Sequence, residues 1–160
     1  MICTEDEQAP NRLPDAVKTL LQHLLVTQKY AVLATDNHGQ PYTSLMAYSI
    51  TDDLRAFILM TERGRLKYEN LTTNPRVAIL IDNRENLSSD LDATVAVTAQ
   101  GVAEEITGDA RDEWRAFCLT RHPALRAFAD SPDCAFIRIQ VTSYVIVRQF
   151  QDVIEWRIAR

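Results

Sequence analysis

The sequence predicts a mainly β fold with flanking helices, built as an antiparallel barrel in one domain of 160 residues. Three observations carry that prediction. Three short apolar runs between 30 and 60 are joined by turns too short for a helical crossover, so they pair as an antiparallel meander. The full order reads helix, three strands, helix, two strands, helix, two strands, which lacks the regular strand–helix alternation of a doubly wound sheet. No repeat, low-complexity tract or linker divides the chain.

The first helix is predicted over 15–29, where Val17, Leu20, Leu21, Leu24 and Leu25 recur at helical spacing behind Pro14 and Asp15. His23 lies off that stripe and reads as a surface histidine. "YAVLAT" (30–35), "PYTSLMAYSI" (41–50) and "LRAFILM" (54–60) are the three strands of the meander. Gly39 in "DNHGQ" provides the positive φ that the first turn needs. A helix over about 65–73 ends at Asn74-Pro75, because the residue before a proline is pushed out of helical geometry. "RVAILID" (76–82) is apolar on both faces and predicts a central strand buried on both sides. After the polar loop "NRENLSSDLD" comes a long strand over 93–106, with Gly101 as a bulge or bend. Residues 108–122 form a helix with Trp114, Phe117 and Cys118 on one face, and "PALRAFAD" adds a further helical turn. Strands over 134–150 and 152–158 close the chain.

The composition, 46% hydrophobic and 24% charged, is that of an ordinary globular protein. No apolar run approaches the roughly 18 residues of a membrane span. The N-terminal stretch "MICTEDEQAPNRLP" is acidic, lacks the layout of a signal peptide and reads as a loose tail over 1–14. Cys3, Cys118 and Cys134 are odd in number and widely spaced, which argues against a disulfide framework and against zinc. They suit the reducing cytoplasm. A net charge of -5 without a basic stripe speaks against nucleic acid.

Against that acidic background, "TERGRLKYENL" (61–71) crowds Arg63, Arg65 and Lys67 at the start of a helix. Cations oppose the helix dipole there. Two readings follow: a solvated turn in which Glu62 and Glu69 pair with the cations, or an anion site using the helix N–H groups and the cations together. No general acid or base stands out. His38 lies in a turn and His122 precedes a proline, while Asp52-Asp53 and Glu104-Glu105 read as solvated pairs.

Three segments in order, "AVLATDNHGQPYTSLMAYSI", "MTERGRLKYENLTTNPRVAILI" and "VAVTAQGVAEEI", resemble the flavin-binding split β-barrel proteins related to pyridoxamine 5'-phosphate oxidase. The resemblance covers about 30–107 and, more loosely, the remainder. It implies an antiparallel split β-barrel that binds FMN in a cleft between two identical subunits, and hence a flavoprotein oxidoreductase acting on a small molecule. The FMN phosphate would then be the anion of the second reading.

By position, Lys67 matches the family's phosphate-binding lysine. Thr61 matches a threonine that hydrogen-bonds the flavin or its ribityl chain, with Met60 beside it. Leu66 stands where the oxidase carries an arginine, and Arg65 would supply the missing cation. Ser44 replaces another phosphate-binding arginine, and a hydroxyl is the weaker donor. Leu45, Met46, Ala47 and Tyr48 continue the stretch that lies along the isoalloxazine, with core packing as the alternative for Leu45 and Met46. Asn83 and Arg84 would reach across the dimer. Trp156 would cover the flavin, or else pack in the core or the dimer interface. The oxidase also holds its substrate with an arginine–histidine pair near its end; "EWRIAR" has no histidine, so pyridoxamine phosphate oxidation is not expected here. Three alternatives stay open: a haem-binding or haem-degrading protein of the same fold with His122 as the candidate ligand, a non-enzymatic flavin-binding module, and a deazaflavin as cofactor.

Overall fold

A computed structural model describes residues 12–159; the stretch 1–11 with Cys3, and Arg160, lie outside the described residues. Helix α1 (Asp15–Thr27) leads into the meander β1 (Tyr30–Asn37), β2 (Gln40–Ile50) and β3 (Ala56–Glu62). Then follow α2 (Leu66–Thr73), β4 (Arg76–Asp82), a one-turn helix α3 (Asp90–Ala93) and β5 (Ala96–Glu105). Helix α4 (Ala110–Arg121), a 3₁₀ turn (Pro123–Leu125) and α5 (Arg126–Ala129) precede β6 (Cys134–Arg148) and β7 (Asp152–Arg157).

All strand pairs are antiparallel, in the order β3-β2-β1-β4-β5-β6-β7, and β3 also pairs with β6. That second pairing closes six strands into a barrel. β7 is left to extend the outer half of β6 as a hairpin. The barrel is filled by the inward side chains of every strand, with Tyr48, Phe57, Leu59, Ile79, Ile137 and Tyr144 fully or almost fully buried. The rings of Tyr48 and Phe57 meet edge to face, with centroids 5.5 Å apart. The Tyr48 hydroxyl donates to Leu25 O at 2.9 Å, and the Tyr144 hydroxyl to Leu54 O at 2.7 Å, so the buried phenols are satisfied. A smaller core of Ile58, Met60, Cys118, Cys134 and Phe136 lies outside the barrel wall under α4 and α5.

The bulge expected at Gly101 is present as a register shift between Gln100 and Gly101. A side chain there would place its Cβ 2.5 Å from Gln140 O and 2.8 Å from Ile139 Cγ2. Leu54 is a turn residue at φ 60 rather than the start of a strand, and the polar loop carries α3. The one clear departure concerns β4. Val77, Ile79 and Ile81 are buried, but Arg76 and Leu80 point outward and Leu80 is 37% exposed. β4 is central between β1 and β5, yet in a barrel a central strand has only one interior face. Among the described residues no helix fully covers its outer face, where Leu80 stays partly exposed.

Candidate ligand site at the parted β2–β3 seam

Strand β2 changes partner along its length. Gln40–Ala47 pairs with β1, whereas pairing with β3 is confined to Tyr48↔Leu59, Ser49↔Ile58 and Ile50↔Phe57. β3 meanwhile stays on β6 up to Glu62. The two strands therefore part beyond Tyr48 and Leu59, and a cavity of about 470 Å³ fills the wedge. That volume suits a small-molecule site. Its walls are Tyr42, Leu45, Met46 and Ala47 from β2, and Met60, Thr61 and Glu62 from β3. Arg65, Leu66 and Lys67 at the start of α2, with Leu125 and Phe128, complete it.

The backbone along this wedge is open. Tyr48 N–H donates toward the β1 side, to Lys29 O. Alternation along a strand then turns the polar groups of Leu45 and Ala47 to the β3 side, where no ladder continues. Thr61 is only 3% exposed, and its hydroxyl finds nothing better than Glu62 O at 3.4 Å, a distance at which little hydrogen bonding remains.

The cations of this segment are not equivalent. Arg63 turns away from the cavity: its Nε donates to Glu105 Oε1 at 3.0 Å and its Nη1 to Pro132 O at 2.9 Å. Tyr68 donates to the other carboxylate oxygen of Glu105 at 2.6 Å. Burial of Glu105 opposes its charge, but the bonds from Tyr68 and Arg63 and the Arg63 charge outweigh it and hold its carboxyl below the usual range. Arg65 pairs with Glu62 at 2.6 Å, and among the described residues Glu69 pairs with none of the cations. Lys67 lines the cavity and, among the described residues, makes no ion pair or side-chain hydrogen bond. No side chain caps α2, whose N-cap is Arg65. Helix geometry therefore leaves the N–H groups of Leu66 and Lys67 without intrahelical partners. An uncapped helix start, an unpaired ammonium and a poorly satisfied hydroxyl face one wedge of mixed polarity, and that combination suits an anionic group.

Eight of the residues proposed from sequence line this cavity: Leu45, Met46, Ala47, Met60, Thr61, Arg65, Leu66 and Lys67. Five do not. Ser44 is half-buried opposite Leu33 of β1. Tyr48 is a core residue under the Arg121 guanidinium. Asn83 accepts from Val95 N–H at 2.8 Å, and Arg84 pairs with Asp82, both beyond the far end of β4. Trp156 stacks on Tyr144, centroids 5.7 Å apart, on β7. Sequence reasoning missed Tyr42, Leu125 and Phe128, and it saw Glu62 only as a partner for the cations, not as part of the site. Tyr42 sits one alternation step from Ser44, and Leu125 and Phe128 belong to a helical turn that carries no binding motif of its own. His122 lies outside the cavity, with Nε2 2.7 Å from Tyr48 O. A carbonyl only accepts, so that nitrogen carries a proton and donates. Among the described residues there is no cluster able to hold a metal ion, and no helix is long and apolar enough to cross a membrane.

A closed antiparallel barrel of six strands, parted at one seam beside a helix start, defines the split-barrel class of ligand-binding proteins. The chain belongs to the family described as Pyridoxamine 5'-phosphate oxidase, whose profile matches residues 13–147. A pyridoxamine 5'-phosphate oxidase homologue of Schizosaccharomyces pombe is 25% identical over 169 aligned residues, 85% of this chain and 88% of its own length. Among solved structures, a haem-binding protein from Mycobacterium smegmatis superposes with a TM-score of 0.78 at 24% identity, over 92% of this chain and 60% of that one. An FAD-binding protein from Mesorhizobium loti gives 0.65 at 21% identity, over 83% and 92%. The haem storage protein HutZ of Vibrio cholerae gives 0.67 at 20%, over 78% and 89%. At these identities the structural likenesses establish the shared fold.

Proposed function

We propose that the protein binds FMN in the parted seam and works as a flavin-dependent oxidoreductase on a small molecule. The observation that carries this reading is Lys67: an unpaired cation at an uncapped helix start, in the wall of a cavity that otherwise combines apolar side chains with Thr61 and the Arg65–Glu62 pair. Lys67 and the first-turn N–H groups of α2 would hold the phosphate. Thr61 would donate to the polyol chain, the backbone of Leu45 and Ala47 would meet the polar edge of the ring, and Met46 and Met60 would lie against its face. When bound, the flavin supplies the redox chemistry; the residues lining the wedge would bind, orient and shield it. The FAD-binding relative supports a flavin in this fold.

The site would be completed by a second copy of the chain. Leu45, 73% exposed, shares a row with Val32 and Leu80 across β2, β1 and β4. This bare apolar band runs outward from the cavity wall, and single exposed apolar residues are common where contiguous bands are not. Light scattering should give a dimer, and Leu80→Glu should give monomers with weakened FMN binding. A monomeric wild-type protein would remove this part of the proposal.

Haem is the second reading, favoured by the haem-binding relatives of the same fold. Against His122 as its ligand stands the bond from its Nε2 to Tyr48 O. The visible spectrum of the purified protein, with the mass of whatever leaves it on denaturation, separates the two. A flavin band and the mass of FMN support the proposal; an intense Soret band and the mass of haem overturn it.

A further inference from the structure

Helices α1 and α2 are held to the barrel by different chemistry. α1 buries Val17, Leu21, Leu24 and Leu25, all of them apolar. α2 buries only Asn70 and Leu71, each 3% exposed. Asn70 Nδ2 donates to Thr35 Oγ1 of β1 at 3.0 Å, and Thr35 is itself buried. One turn on, Asn74 Nδ2 donates to Asp36 Oδ2 at 3.2 Å. Two amides thus grip successive residues of β1. Thr35 is also the ladder partner of Tyr42 on β2, a wall residue of the cavity. The Thr35 hydroxyl reaches Tyr42 O only at 3.4 Å, so the ladder carries this second link. A single buried position on β1 therefore joins two of the elements that line the cavity.

The two kinds of docking differ in what they fix. Apolar burial is non-directional, so a stripe such as that of α1 sets a depth rather than a register. A hydrogen bond depends on distance and angle, and losing one partner leaves a buried donor unsatisfied. An anion at a helix start needs that kind of control. The free N–H groups of Leu66 and Lys67 and the Lys67 ammonium act together only where they point at the same group. Asn70 follows Lys67 by three residues, about 4.5 Å along the helix axis. In a helix of eight residues, a slide or tilt at Asn70 passes directly to Lys67.

We propose that Asn70 and Thr35 are positioning residues: their buried hydrogen bond fixes the start of α2 relative to β2, so that Lys67 and the first-turn N–H groups converge on one phosphate. This rests on the flavin reading for the identity of the anion. Neither side chain is part of the cavity wall, so both act through the placement of α2 and not through contact with the ligand.

The test compares FMN with riboflavin, which has the same ring and polyol but no phosphate, by quenching of flavin fluorescence. The ratio of the two affinities reads the phosphate alone. Wild-type protein should bind FMN at least about tenfold more tightly than riboflavin. Thr35→Val keeps the side-chain shape, removes the acceptor, and should shrink that ratio about fivefold or more, with riboflavin affinity unchanged. Thr35→Ser keeps a hydroxyl and should hold the ratio within about twofold of wild type. The double variant Thr35→Val, Asn70→Leu removes both polar partners and should regain much of the stability that Thr35→Val loses, but not the ratio. A ratio that Thr35→Val leaves unchanged, or that the double variant restores, makes the pair merely structural and overturns the proposal. If wild-type protein shows no preference for FMN, the flavin assignment falls by itself. Titration with inorganic phosphate, followed at the Leu66 and Lys67 amide signals by NMR, then decides the pair. Binding weakened about fivefold by Thr35→Val and kept by Thr35→Ser supports it; no binding, or equal binding in all three proteins, overturns it.

Discussion

The two ends of β2 obey the same alternation and reach opposite outcomes. Over Tyr48–Ile50 the strand is joined to β3, its inward side chains fill the barrel, and Tyr48 meets Phe57 edge to face. Over Tyr42–Ala47 the strand has lost β3, and the space beside it is a cavity. The difference lies in the partner, since both halves are equally strand-like in sequence. Where β3 is the partner, side chains complete the packing; where β3 has parted, backbone groups and a void remain for a ligand. The same division separates the cations. Arg63 and Arg65 are compensated by Glu105 and Glu62, while Lys67 faces the void alone.

The comparison breaks most visibly at the closed end. Phe57→Ala removes a fully buried ring and should cost about 3–5 kcal/mol in a denaturant melt, with or without FMN present. A loss below about 1 kcal/mol would mean that the barrel is not packed as described. Alkaline titration probes the same end. Burial pushes the Tyr48 phenol up from its ordinary value to about 12, with the Arg121 charge and hydrogen bond opposing the rise. A value raised by folding means that the folded state keeps its proton longer. The stabilisation is therefore fully present below the unfolded tyrosine value of about 10, and is lost as pH rises through about 12. Stability should fall over that window by about 3 kcal/mol from Tyr48, and Tyr48→Phe should flatten the fall as followed by circular dichroism.

At the open end the effects fall on ligand rather than fold. Lys67→Ala should weaken FMN binding by about 1.5–3 kcal/mol, measured by quenching of flavin fluorescence, and should shift the melt by no more than about 0.5 kcal/mol. Unchanged FMN affinity in the folded variant would take Lys67 out of the site. Arg65→Ala should do least, under about 1 kcal/mol in either measurement, because an exposed ion pair contributes little. A larger loss of FMN affinity would show Arg65 leaving Glu62 for the phosphate.

Much of the fold was legible because its signals are local. The Asn74-Pro75 stop of α2 and the Gly101 bulge depend on backbone geometry written into one or two residues. The outward Leu80 was illegible, since an unbroken apolar run gives no sign of which face lies inside. Within the site, the basic turn could be seen but not sorted. The residue that engages Arg63 is Glu105, which lies 42 positions along the chain, and only barrel closure brings them together. Leu125 and Phe128 carry no motif, and β6 docking on β3 is what turns them toward the wedge. Thr61 stood out by position; its weak hydrogen bonding emerged only once β3 was seen to part from β2.

The central claim is that Lys67 and the α2 start hold the phosphate of a flavin lying in the β2–β3 seam. A crystal structure grown with FMN tests it most directly. The account predicts the phosphate within hydrogen-bond distance of Lys67 Nζ and of the Leu66 or Lys67 N–H, with the ring between Leu45–Ala47 and Met60–Thr61. A flavin bound elsewhere, or a seam holding no ring at saturating FMN, would contradict it.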